Sequence, residues 1–188
     1  MLFPSCFLGI PRRCGSANAG GDCQRARRGV ESPAGDTRMN PLIRLFSRMR
    51  SRTIDLLDCC PEELLSLKSA DGRTLAQVFA HVHDGLCTWM EGACEHWSAQ
   101  RFGESAQPSY AELRAALVAS GRETVAVFRG RNGQLLERLV PPVGTGADLI
   151  GYMVAHEAHH HGEVSTVLLL HHHGELYRRL WHHGDDIK

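Results

Sequence analysis

From Met39 onward, apolar residues recur at threes and fours rather than at twos, the period of amphipathic helices. "NPLIRLFSRMRSRTIDLLD" (40–58) predicts a first helix, with Asn40 placed as N-cap and Pro41 in the first turn. "PEELLSL" (61–67) reads as a turn or a short helical piece. In "DGRTLAQVFAHVHDGLCTWMEGACEHWSA" (71–99), Leu75, Val78, Phe79, Val82, Leu86, Trp89, Met90, Ala93 and Trp97 share one stripe, predicting a long second helix. "PSYAELRAALVASGRETVAVFRG" (108–130) predicts a third, started by Ser109 or Pro108. "PPVGTGA" (141–147) reads as a loop. "DLIGYMVAHEAHHHGEVSTVLLLHHH" (148–173) predicts a fourth helix, ended by Gly174. No β-alternation competes with these runs. The expected fold class is all-α, a four-helix bundle occupying residues 39–188.

Residues 1–38 break the pattern. They are rich in Gly, Pro, Ser and Arg and show no apolar period beyond the first ten positions. Six arginines against three acids leave a transit peptide conceivable, but disorder is the expectation. Met39 opens the orderly segment, which makes it a candidate for a true start and the preceding stretch a candidate non-native extension.

Composition narrows the class without naming a function. Of 188 residues, 43% are hydrophobic and 22% charged, the balance of one ordinary globular domain. With 21 basic and 21 acidic residues the formal charge is +0, so no global pull toward nucleic acid exists. "VLLL" (167–170) is far short of a membrane span. Seven scattered cysteines form neither a disulfide framework nor a zinc ribbon, and point to a reducing, cytoplasmic setting.

The candidate chemistry lies in "VAHEAHHHGEVSTV" (154–167), where four histidines fall within six positions. At 100° per residue, His156 and His160 join the apolar stripe of Leu149, Ile150, Met153, Val164, Val167 and Leu168. Imidazoles at i and i+4 point the same way and can share one cation. A single inward histidine is more simply a core residue satisfied by a carbonyl; two on one stripe favour a metal, since each otherwise needs its own buried partner. His159 and His161 fall at or beyond the edges of the stripe, facing solvent or the margin of a pocket.

A third ligand must come from another helix. "AHVHD" offers His81 and His83, about 200° apart and so unable to serve one ion together. The wheel mildly favours His83, about 80° from the stripe centre against about 120° for His81, and does not decide.

"HEAHH" (156–160) also fits H-E-x-x-H, the zinc metalloprotease signature in which the glutamate is the base. The extended form is absent, because Glu163 and Thr166 stand where its glycine and third histidine would fall. Glu175 is a conceivable downstream carboxylate ligand. Glu157 lies near the inward stripe and is the candidate catalytic residue. The "HHH" at 171–173 and "HH" at 182–183 suit a helix C-terminus and need no metal. Trp89 and Trp97 read as core.

"LAQVFAHVHDGLCTWMEG", then "GYMVAHEAHHHGE", then "LYRRLW" together resemble the DinB-like (YfiT-like) metalloenzymes over roughly residues 40–183. The resemblance implies a four-helix bundle in which three histidines hold a divalent ion, nickel or zinc. Matched motif by motif, it implies His81, His156 and His160 as ligands, with His83 as alternate. It also implies a low-molecular-weight thiol as co-substrate or a hydrolytic reaction; the partners expected are a small-molecule substrate and a second copy of the chain in a homodimer. Departures are His161-Gly162-Glu163, where the family commonly has Arg-Gly-Gln, and Leu180-Trp181-His182-His183 in place of a closing Leu-Trp-x-Trp. The competing class is a non-catalytic metal-binding or stress-response bundle.

Overall fold

The computed structural model of the chain describes residues 39–176 and Arg178. Four helices, α1 (Pro41–Cys59), α2 (Leu75–Ala93), α3 (Tyr110–Arg129) and α4 (Gly146–Leu170), make the bundle. The expectations for residues 1–38 and for the second histidine pair, His182 and His183, lie outside the described residues.

Each helix begins where side-chain chemistry satisfies its first free N–H groups. Asn40 Oδ1 accepts from the Leu42 amide at 2.9 Å, with Pro41 opening the helix behind it. Thr74/Gln77, Ser109/Glu112 and Thr145/Asp148 each form a reciprocal capping box. Several boundaries differ from expectation: α4 ends at Leu170, capped by His171 rather than running out to Gly174, and α2 starts at Leu75 rather than at Asp71. Helix α4 starts at Gly146 because Thr145, not a residue nearer Asp148, is the cap. Helix α2 stops at Ala93 rather than running to Ala99. Beyond it the chain is folded back by Asp84, whose carboxylate accepts from the Phe102 and Gly103 amides at 2.8 Å each.

The "PPVGTGA" loop and the two residues before it form a small element that periodicity missed. Strands β1 (Leu139–Val140) and β2 (Gly144–Thr145) pair antiparallel, Leu139 opposite Thr145. Two-residue strands are too short for alternation to register. Gly144 turns the hairpin at φ +112°, a conformation that disfavours side chains. Gly146 then lets the start of α4 pass the 3-10 segment Gly130–Leu136, since a Cβ there would stand 2.0 Å from the Leu135 carbonyl oxygen.

Helix α1 packs on α3 and α4, and so does α2, so α4 is flanked on one side by α1 and on the other by α2. One end of the core gathers Leu57, Leu75, Phe79, Leu113, Leu117 and Leu168; the other gathers Phe46, Met90, Phe128, Leu149 and Ile150. No helix among the described residues is long and apolar enough to cross a membrane.

Candidate metal centre

Helix α4 carries its polar residues inside the bundle on two flanks. His156 and His160, one turn apart, face α2, while Glu157 and His161, a further quarter-turn round, face α1. The α2 partner is His81. Its ring centroid lies 5.3 Å from that of His156 and 4.9 Å from that of His160, and the two α4 rings are 4.6 Å apart. One ligand nitrogen from each of the three lies within 4.8 Å of the others. His156 Nε2 and His160 Nε2 face each other at 3.2 Å. Gly85, one turn beyond His81, makes the approach possible, since a Cβ there would meet His156 Cε1 at 2.7 Å.

Burial disfavours the charged form of these rings. It lowers the His156 pKa to about 4, with the neighbouring histidines adding to the effect. His160 is lowered by the same cause, against an opposing pull from Glu163. Near neutral pH both rings are therefore neutral and have a lone pair to offer. His160 Nδ1 donates to Glu163 Oε2 at 2.8 Å, which leaves its Nε2 as the free acceptor. Three converging imidazoles are a donor set suited to zinc or nickel. The residues fit such an ion. His81 is exposed and His160 buried, so the cluster has one side in the protein and one toward solvent.

Beside the cluster lies a shallow crevice, too tight to admit a water molecule, lined by Val82, Gly85, Leu86, Trp89, Tyr152, Met153, His156 and Glu157. Tyr152 stacks on His156 with centroids 6.0 Å apart and planes 18° off parallel. Trp89 meets Tyr152 edge-on at 5.0 Å. Trp89 and Trp97 are half-buried against the core, and Trp89 also walls this crevice.

His83 lies elsewhere. It is 1% exposed, on the α3 flank of α2, with Nδ1 3.2 Å from Ser120 Oγ and Nε2 2.9 Å from the Gln100 carbonyl oxygen. There it ties the 94–107 loop to the bundle. Glu157 is also absent from the cluster. Its carboxylate is 1% exposed and accepts from the Thr53 hydroxyl, with Arg50 Nη2 2.8 Å from Oε1. The Arg50 Nε and Nη1 groups have no hydrogen-bond partner, and burial raises the Glu157 pKa. A base role for Glu157 finds no support in this arrangement.

His161 corrects an expectation. It is buried rather than marginal, with Nε2 2.8 Å from Thr53 Oγ1. The buried arc of α4 is wider than a single stripe because helices cover both of its flanks. His159 is exposed, as are His171 and His172, and His173 is half-buried. Glu163 is the residue that sequence reasoning passed over. Its spacing, i+3 from His160, was the available signal.

A helical bundle with a histidine cluster across one interhelical seam, able to hold a metal ion, is what fold and geometry define. The profile of the DinB superfamily matches residues 45–164, and the chain belongs to that superfamily. No curated protein and no solved structure matches the chain.

Proposed function

We propose that this protein is a divalent-metal-dependent enzyme acting on a small molecule, with His81, His156 and His160 as the ligands and zinc or nickel as the ion. The observation that carries this reading is the convergence of three imidazole nitrogens within 4.8 Å, two of them on rings kept neutral by burial. When bound, the ion supplies Lewis acidity that lowers the pKa of water or a thiol placed beside it. The chain's own residues would do the rest: Glu163 holds the proton at His160 Nδ1, and Trp89 and Tyr152 offer an apolar wall on the open side.

A thiol-dependent transfer is favoured over use of the buried Cys60 or Cys87 of the chain. Burial pushes the Cys60 thiol up to about 12 and the Cys87 thiol up to about 11, so neither is a ready thiolate. A thiol nucleophile would then come from a low-molecular-weight partner. Hydrolysis is the second reaction type, with water in the thiol's place. The H-E-x-x-H protease reading loses its base, since Glu157 is engaged by Thr53 and Arg50.

The test is elemental analysis of the purified chain and its His81→Ala, His156→Ala and His160→Ala variants, followed by a turnover screen pairing thiols with electrophiles and esters. One ion per chain, lost in each variant, with turnover of at least one pair, is expected. Tight metal binding without turnover would make the protein a non-catalytic metal-binding bundle. Failure of the wild type to take up zinc or nickel on reconstitution would end the reading.

A further inference from the structure

We infer that Glu163, itself held by Arg73, is a positioning residue that fixes His160 in its Nδ1–H tautomer and so presents a bare Nε2 to the three-histidine cluster. Its consequence for metal affinity rests on the reading above; its consequence for the tautomer does not.

The contacts form one chain. Arg73 Nε sits 2.7 Å from Asp71 Oδ2, and Arg73 Nη2 sits 3.0 Å from Glu163 Oε1. Glu163 Oε2 is then 2.8 Å from His160 Nδ1, and His160 Nε2 is 3.2 Å from His156 Nε2. The guanidinium is placed by local structure. The 67–75 connection is closed by Ser69 N to Arg73 O at 2.8 Å and Leu75 N to Leu67 O at 2.9 Å, and Asp71 braces the side chain from behind.

A carboxylate accepts but cannot donate, so its contact with a neutral imidazole nitrogen requires a proton on that nitrogen. With Nδ1 protonated, the other nitrogen must carry the lone pair. Arg73 pairs with the carboxylate and prevents it from rotating away. The His160 side chain is 5% exposed and that of Glu163 16%, so water competes weakly for the contact. Carboxylate partners of this kind orient a ligand ring and raise its basicity, and their loss typically weakens a metal site roughly 10–100-fold.

Glu163 also belongs to a second group of donors, with His159 and His160. A cation there would sit beside the Arg73 guanidinium, 3.0 Å from the same carboxylate, and would have to displace the His160 proton. The ion pair therefore favours the orienting role over a second metal site.

Two measurements test the inference. Proton–nitrogen correlation NMR of the metal-free protein reads the tautomer directly: His160 in the wild type carries its proton on Nδ1, and Glu163→Ala yields a mixture. Competition of zinc against a chromophoric chelator reads affinity. Glu163→Ala weakens binding roughly 10–100-fold, Glu163→Gln less because its amide oxygen still accepts, and Arg73→Met weakens it by a few-fold. Urea midpoints of the variants separate these effects from unfolding. A wild-type proton on Nε2, or an unchanged tautomer in Glu163→Ala, overturns the proposal. If the wild type binds no zinc while the tautomer still follows Glu163, the metal reading fails and the positioning role stands.

Discussion

Gly85 and His156 oppose each other across the α2–α4 seam so closely that a methyl group on Gly85 would stand 2.7 Å from His156 Cε1. That distance is below van der Waals contact, so the ring must move if any side chain is introduced. Gly85→Ala should therefore turn His156 out of the cluster while leaving the bundle folded. Alanine favours the helix by about 1 kcal/mol over glycine, which offsets part of the strain. Zinc affinity is expected to fall by at least tenfold with a nearly unchanged urea midpoint. Unchanged affinity would mean that the position of His156 is irrelevant to metal binding.

His81 and His83, two residues apart, should separate cleanly. His81→Ala is predicted to abolish tight metal binding at little cost in stability, because the ring is exposed. His83→Ala should retain the metal and destabilise the fold by about 1–3 kcal/mol, leaving buried polar partners at Ser120 and Gln100 unsatisfied. Metal titration and urea denaturation of both variants check this. The reverse pattern would reassign the ligand.

The Arg50–Glu157 pair is a structural commitment of the core. Arg50 is 4% exposed, and Gly121 makes way for it, since a Cβ there would meet Arg50 Cγ at 2.7 Å. Arg50→Met should cost about 3–5 kcal/mol, because it strands a buried carboxylate. Adding Glu157→Gln should recover part of that loss. Glu157→Gln alone should keep full metal stoichiometry, measured by elemental analysis; loss of the ion would tie Glu157 to the site after all.

Acid should weaken the metal-free protein from near neutrality downward. His156 and His161 both have folded pKa values of about 4 against an ordinary 6.5, with burial as the main cause. Between those values the unfolded chain binds the protons that the folded chain refuses. The stability they contribute is therefore full above about 6.5 and lost as pH falls through about 4. Glu157, whose pKa is raised by burial, acts with the opposite sign and offsets part of this. Urea midpoints should fall across that window, and less steeply in His156→Ala. A flat midpoint would show that these rings are not held neutral by the fold.

Local pattern carried the helices well. Asn40 and Ser109 mark their helix starts because a cap involves only neighbours in sequence. The hairpin at 139–145 and the early end of α2 were not legible. One is too short for a period, and the other depends on Asp84 capturing amides 18 and 19 residues away. The wheel could measure how far His81 and His83 lie from the apolar centre of α2, but not which flank of that helix faces α4. His161 misled for a related reason, since a stripe drawn for one neighbour understates a helix that has two.

The sequence by itself determined the all-helical class, the Asn40 and Ser109 caps, and the His156–His160 pair, because each follows from the geometry of a single helix and from residues within one turn. Only the tertiary structure decided that His81 joins that pair, that Glu157 turns away to Arg50, and that Glu163 and Arg73 stand behind His160. Those choices depend on which helices and connections lie beside each flank, and packing between segments distant in sequence sets that arrangement.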